Sequence, residues 1–311
     1  MSAPAPAPSP SPARRRRRPG AARRLLRQPI GVGALVVLAV LLLTALVSLV
    51  WTPYDPMAAS SRLWDGPSAT HWFGTDQIGR DIFSRVMSGS RVAVQVAALS
   101  AVLAAAVGLA FGALSTLTTR WVREPVAILV DVLIAFPTLL IAMMLAASFG
   151  GSLAVVVVAV GIGYGVGASR VLRSEFRGVA GADYVLAAEA AGLTRTRILT
   201  RHILPNIASA FIVQLSLTMA LSLLAEAGLS YLGYGAPTSV ISWGRMLAEM
   251  QDHVTTHPLA AFWPGAAIAV TVLALNLLGD ALREATDPTL GTSRSARRRG
   301  SESAGTLSLG A

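Results

Sequence analysis

Residues 30–50 carry no charged side chain across 21 consecutive positions. That length matches the ~20 apolar residues an α-helix needs to cross hydrocarbon. It exceeds the roughly 7–15 residue core of a cleaved export signal, so the segment reads as an uncleaved membrane anchor. Arg23-Arg24 superficially matches a twin-arginine signal, but the long apolar core argues against it. Five further runs, at residues 92–119, 125–149, 152–169, 203–225 and 258–279, are uncharged or nearly so. The third and fourth spans part at Phe149-Gly150-Gly151-Ser152, a turn signal inside an apolar stretch too long for one crossing. The expected fold is all-α, with six transmembrane helices of which spans two to six form the packed core.

Composition agrees. Only 14% of residues are charged and 53% are hydrophobic, against about a quarter charged in a soluble domain. All 26 basic residues are arginine, so no lysine exists for a Walker A phosphate loop, and a fused ATPase is excluded. The absence of cysteine removes disulfides, thiolate metal sites and a cysteine nucleophile. The +10 net charge could suit nucleic acid, but the arginines cluster at the ends of apolar runs, where anionic lipid is the simpler partner. Cytoplasmic segments retain arginine. With the N-terminus inside, 21 arginines fall in inner segments and five in outer ones, so both termini are expected in the cytoplasm. The chain divides into a disordered basic extension (1–28), a first span with an external interfacial segment (29–90), a core (91–290) and a basic tail (291–311).

The inner stretch 183–205 is the most informative. Asp183 suits an N-cap, the alanine-rich run favours helix, Gly192 permits a sharp turn, and Pro205 suits the first turn of span five. From the residues alone this is either an amphipathic connector on the headgroups or a small-residue face offered to another protein. The stretch resembles the EAA loop of ABC importer permeases: Glu-Ala-Ala, three residues, Gly, nine residues, Ile, one residue, Leu-Pro. Here Leu186-Ala187-Ala188, Gly192, His202 and Leu204-Pro205 fill the slots. Leu186 stands for the family's Glu and His202 for its Ile, while Glu189 lies one turn further on. His71-Trp72-Phe73-Gly74-Thr75-Asp76-Gln77-Ile78-Gly79-Arg80-Asp81 is similar to the signature before the second span of C-type dipeptide, oligopeptide and nickel permeases. Residues 224–233, Ser242-Trp243-Gly244, and Asn276-Leu277-Leu278-Gly279-Asp280 with Asp287-Pro288 are similar to the same branch.

The resemblance, covering about residues 25–290, implies the type I importer permease fold in a bacterial cytoplasmic membrane. It implies pairing with a sister permease and two ATPase subunits, with an external binding protein delivering peptide, or alternatively a nickel complex. ATP would act on the partner subunits, with no cofactor, metal or catalytic residue on this chain. Ala187, Ala188, Glu189, Ala190, Gly192, His202, Leu204 and Pro205 would then transmit force from the ATPase. A self-powered secondary transporter would need several ionisable sites near mid-membrane, and an intramembrane protease a nucleophile and base inside the spans. The runs carry almost no ionisable group, and no histidine lies deep in any of them.

Other residues have blander readings. Ile78, Ile82, Phe83, Val86 and Met87 fall at helical spacing and suggest a helix lying in the outer interface. Asp76 and Asp81 with Arg80 and Arg85 suit local caps and ion pairs better than a docking site. Asp131, the one charge between residues 125 and 169, is expected near the headgroups, packed in the interface or paired with Arg123. Glu226 and Asp280 end spans five and six. The four histidines form no close metal-ligand set. Gly161-Ile162-Gly163-Tyr164-Gly165, like Gly108, Gly112 and Gly167, suits close helix packing better than a nucleotide or potassium-filter motif. Trp51, Trp72, Trp121, Trp243 and Trp263 read as interfacial anchors.

Overall fold

The computed structural model describes residues 24–286. Most of the basic extension, Asp287-Pro288 and the basic tail lie outside the described residues. Among the described residues ten α-helices run in order: α1 (Pro29–Ser48), α2 (Ile82–Leu117), α3 (Arg120–Ile134), α4 (Thr138–Phe149), α5 (Leu153–Ala180), α6 (Asp183–Ala190), α7 (Arg195–Ile198), α8 (Leu204–Tyr231), α9 (Trp243–Met250) and α10 (Pro258–Thr286). A π-helical turn, Leu199–Ile203, joins α7 to α8 into one continuous run. Among the described residues there is no strand, only an isolated bridge between Thr75 and Asp81.

Five helical runs are long and apolar enough to cross a membrane, and α3 with α4 makes a sixth if that pair is counted as one span. This third span is bent by 79°. The bend falls at residues 135–137, where Pro137 caps α4 in an extended conformation. Proline supplies no N–H and excludes the helical conformation from the residue before it, which breaks the run. The next break is where the sequence placed it: Gly150 ends α4 at φ +85°, and the Ser152 side chain accepts from the Val155 N–H to start α5.

α2 and α5 form the centre, and small residues set their separation. A Cβ on Gly165 would stand 2.9 Å from the Ala104 backbone, and one on Gly108 would stand 3.2 Å from the Gly165 carbonyl. Gly161 faces Leu103 and Gly112 faces Leu172 and Phe176 in the same seam, whereas a Cβ on Gly167 meets nothing within 4 Å and takes no part in it. The Gly161–Gly165 segment is therefore plain helix inside α5. α8 packs on both central helices, and α10 lies between α8 and α1. Val36, Val40 and Leu43 on α1 and Val270 and Leu273 on α10 point outward. An apolar exterior is what a lipid-facing surface requires.

Residues 51–81 and 232–257 fold together over one end of the bundle, joined by the Arg80–Glu249 ion pair (2.7 Å) and by Trp64 stacked on His257 (4.3 Å), while Trp243 Nε1 donates to the Val86 carbonyl of α2 (2.9 Å). The 183–203 segment lies at the opposite end, packed on α2, α5 and α8. The two ends of the described chain also meet, with Leu25 in a cluster with Ala281 and Ala285.

Two expectations change here. No separate interfacial helix precedes span two: Ile82, Phe83, Val86 and Met87 are the first turns of α2, which starts where Asp81 caps it, while Ile78 sits in the preceding loop. Trp243 is no interfacial anchor, being 3% exposed in the core. Trp51, Trp72 and Trp121 do lie exposed, and Trp263 stacks on Phe73 at 3.8 Å.

Candidate functional site

The 183–205 segment is a short helix, a glycine turn and a return into the bundle. α6 begins one residue earlier than the sequence suggested: Ala182 occupies the cap and Asp183 the first helical position, with no side-chain cap bond. There its carboxylate complements the positive helix terminus. The helix ends at Gly192, φ +78°. The Gly192 N–H donates to the Glu189 carbonyl (2.9 Å) and the Leu193 N–H to the Ala188 carbonyl (3.2 Å). This pair of bonds is a Schellman closure, which needs a left-handed residue where a Cβ is disfavoured. Pro205 lies in the first turn of α8.

Val185 and Ala188 face inward against Leu172, Phe176, Ile198, Ile203 and Ile207. Ala187, Glu189, Ala190 and Gly192 face outward, with Leu186 51% and Tyr184 46% exposed. The structure thus brings five of the eight loop residues onto one helix and its turn, with one of them, Ala188, turned inward. His202 sits in the π-turn, its ring 6.3 Å from that of Tyr184, and its carbonyl accepts from Asn206 Nδ2 (2.5 Å). Leu204 is half-buried beside the same cluster. The face can bind another protein; it contains no group arranged for bond-making chemistry.

At the other end, residues 73–81 form a compact knot. The Thr75 hydroxyl donates to the Arg62 carbonyl (2.6 Å) and accepts from the Asp65 N–H (2.9 Å). Gly74 and Gly79 adopt φ +79° and +78°, and a Cβ on either would strike the carbonyl of Asp65 or Ser60. Phe73 stacks on Trp263 and meets Phe83 edge-on. Asp81 accepts from the Ser84 N–H (2.8 Å) and bonds His71 Nδ1 (2.9 Å). Asp76, 1% exposed, accepts from the N–H groups of Ile78 and Arg80 and from the guanidinium groups of Arg80 and Arg85, the last two at 2.6 Å. Caps and ion pairs account for these charges.

Sequence reasoning missed Glu249. Its carboxylate on α9 accepts from Arg80 and Arg85, both at 2.7 Å, and pairs with Arg245 at 3.3 Å. The available signal was the Arg245–Glu249 spacing on one helix face; nothing local links it to residue 76. Asp131 is also reassigned: it pairs with Arg170 of α5 at 2.9 Å, both side chains more than half exposed, and not with Arg123. Glu226 is buried, accepting from the Ser230 hydroxyl at 2.6 Å.

The family model described as "Binding-protein-dependent transport system inner membrane component" matches residues 104–292. The glutathione transport system permease protein of Pectobacterium atrosepticum is 37% identical over 270 residues, which cover 86% of this chain and 90% of that protein. The dipeptide transport system permease protein of Alkalihalophilus pseudofirmus is 33% identical over 270 residues, covering 86% and 88%. The nickel transport system permease protein of Escherichia coli (strain K12) is 34% identical over 261 residues, covering 83% and 94%. A chain of the MetNI methionine ABC transporter in an inward-facing conformation superposes with TM-score 0.56 at 14% identity, over 65% of this chain and 97% of that one. This shows a shared fold.

Proposed function

The chain belongs to the binding-protein-dependent transport system inner membrane components and is a permease of an ABC importer, and from that premise we propose that it carries peptides across the bacterial cytoplasmic membrane. It does so as one half of a permease pair, with both termini inside. ATP is hydrolysed on two separate ATPase subunits, an external binding protein delivers the substrate, and the pore alternates between outward and inward access. The coupling element is α6 with its glycine turn. The observation that carries this reading is the outward face of α6: Tyr184, Leu186 and Glu189 are exposed while Val185 and Ala188 anchor the helix to the bundle. An exposed face of that kind, large apolar side chains rimmed by polar ones, is the mark of a protein-interaction site. Ala187, Glu189, Ala190 and Gly192 form the contact, with His202, Leu204 and Pro205 fixing the return to α8. Phe73, Gly74, Thr75, Asp76, Gly79, Arg80 and Asp81 hold the outer end of α2.

The test is affinity purification of the tagged protein from its host, with mass spectrometry of co-eluting chains and ATP-driven uptake in proteoliposomes. A sister permease and ATPase subunits are expected to co-elute. Gly192→Pro, which cannot adopt φ +78°, and Glu189→Arg should abolish uptake while leaving the protein inserted; normal uptake by both variants removes the coupling role. A nickel-complex substrate is the second reading, favoured by the nickel relative. Nickel-dependent uptake without peptide uptake would select it.

A further inference from the structure

A cavity of about 430 Å³ opens between the end of α1, the outer third of α2, the start of α5 and residues 239–241. That volume falls within the ~300–1,000 Å³ of small-molecule sites. Ser88, Arg91 and Gln95 line it from one face of α2, at i, i+3 and i+7 spacing, with Thr52, Leu153 and Ser239 on the other walls. Its lining includes one cation and no carboxylate.

Arg91 is half-buried, and its only partner among the described residues is Ser48, whose hydroxyl accepts from Nε at 2.7 Å. Both terminal nitrogens of the guanidinium are uncommitted, in contrast to Arg85, whose two terminal nitrogens each meet a carboxylate, and to Arg80, which meets carboxylates through Nε and one terminal nitrogen. A second observation comes from Ser88. It is 8% exposed, and its hydroxyl has no hydrogen-bond partner. Buried hydroxyls are normally satisfied, and a guanidinium drawn from bulk water without a counter-charge is costly. Guanidinium, orphan hydroxyl and side-chain amide all belong to the one face of α2 that lines the cavity, and the two free terminal nitrogens of Arg91 are placed to donate to an anion there. The planar guanidinium fork matches a carboxylate in particular.

We propose that this cavity is a transient binding site for a substrate carboxylate, with Arg91 supplying the charge and Ser88 and Gln95 the accompanying hydrogen bonds. The assignment rests on the reading of the chain as a permease whose substrate enters from this end. It adds a recognition element on the permease itself, selecting peptides with a free C-terminal carboxylate over those that lack one.

The test uses the assembled complex of permease pair and ATPase subunits in nanodiscs, without the binding protein. Saturation-transfer NMR would be recorded with trialanine, N-acetyl-trialanine and trialanine amide as probes. Binding of the first two and not of the amide is expected. Arg91→Gln should weaken trialanine binding about tenfold or more, as loss of a charge-assisted hydrogen bond implies, and Arg91→Lys should restore part of it. Ser48→Ala removes the tether to α1 but keeps the guanidinium, and should bind as the wild type does. Equal binding of acid and amide, no binding of any probe, unchanged affinity in Arg91→Gln, or an equal loss in Ser48→Ala would each overturn the assignment. ATP-driven trialanine uptake with the binding protein present reports on the peptide reading separately. Carboxylate-dependent binding without uptake keeps the cavity site and removes the peptide substrate; uptake without such binding does the reverse.

Discussion

Asp76→Asn separates a buried ion cluster from a decorative one. In the native protein three guanidinium groups, from Arg80, Arg85 and Arg245, share two carboxylates, Asp76 and Glu249. The substitution keeps an oxygen for the Ile78 and Arg80 N–H groups but turns an amide toward two cations that now have only Glu249. Arg85 is 2% exposed, so water cannot compensate. Breaking a buried pair from one side costs about 3–5 kcal/mol. At roughly 2–4 °C per kcal/mol for chains of this order of size, Tm should fall by at least about 6 °C. The assay is thermal unfolding of the detergent-solubilised complex, read by fluorescence-detected size exclusion. Glu124→Gln is the control: its pair with Arg120 is exposed at a helix start and contributes about 0.3–0.5 kcal/mol. The double variant Asp76→Asn/Arg85→Met removes one stranded cation and should recover part of the loss. An Asp76→Asn shift no larger than that of Glu124→Gln would refute the reasoning.

Two further outcomes are expected. Gly165→Val puts a side chain 2.9 Å from the Ala104 backbone and should cost at least the ~1–3 kcal/mol of an overpacked core, read as loss of the monodisperse peak, whereas Gly167→Ala, with nothing within 4 Å of its Cβ, should leave it unchanged. Because the chain has no cysteine, single substitutions report topology without background: on intact cells an impermeant maleimide should label Ser61→Cys and should reach Thr196→Cys only after permeabilisation. The reverse pattern would invert the proposed orientation.

The spans were legible because hydrocarbon thickness imposes one dominant pattern, an uncharged run of fixed length, and α1, α5 and α10 start within one residue of the expected positions. The turn at Gly150 and the Gly192 closure were legible for the same kind of reason, since each depends on backbone chemistry within a few residues. What failed was non-local or depended on which side of a helix faced inward. The 79° bend needed Pro137 to outweigh an uninterrupted apolar pattern. The start of α2 at Ile82 needed Asp81 to act as a cap, which makes an apparent interfacial stripe the first turns of a span. Asp131 chose Arg170 across 39 residues over nearby Arg123, and Glu249 joined Arg85 across 164 residues. No local spacing carries pairings of that range. Trp243 shows the remaining limit: a tryptophan beside a span end suits an interface or a core equally, and only the Val86 carbonyl within reach of its N–H decides.

The two motif-bearing ends differ in the direction their side chains face, and this assigns them different kinds of work. In residues 73–81 the charged groups turn inward and are consumed: Asp76, Arg80 and Asp81 are all buried, and each meets partners within the chain. A motif that spends its donors and acceptors internally fixes the register of α2 against α9 and leaves little to offer a docking protein. In residues 183–192 the reverse holds. Two small apolar residues anchor the helix while the larger side chains, Tyr184, Leu186 and Glu189, stay free. At about 1.5 Å per residue, the 36-residue α2 is about 54 Å long, well beyond the ~30 Å hydrocarbon core, and reaches from one of these ends to the other. A push on α6 therefore meets a seam of α2 and α5 too tight to slide, clamped at its far end by the Asp76 cluster. On the proposed coupling role the bundle must respond by tilting as a body, and the α3–α4 pair, the one sharply bent span among the described residues, is where relative motion can be absorbed.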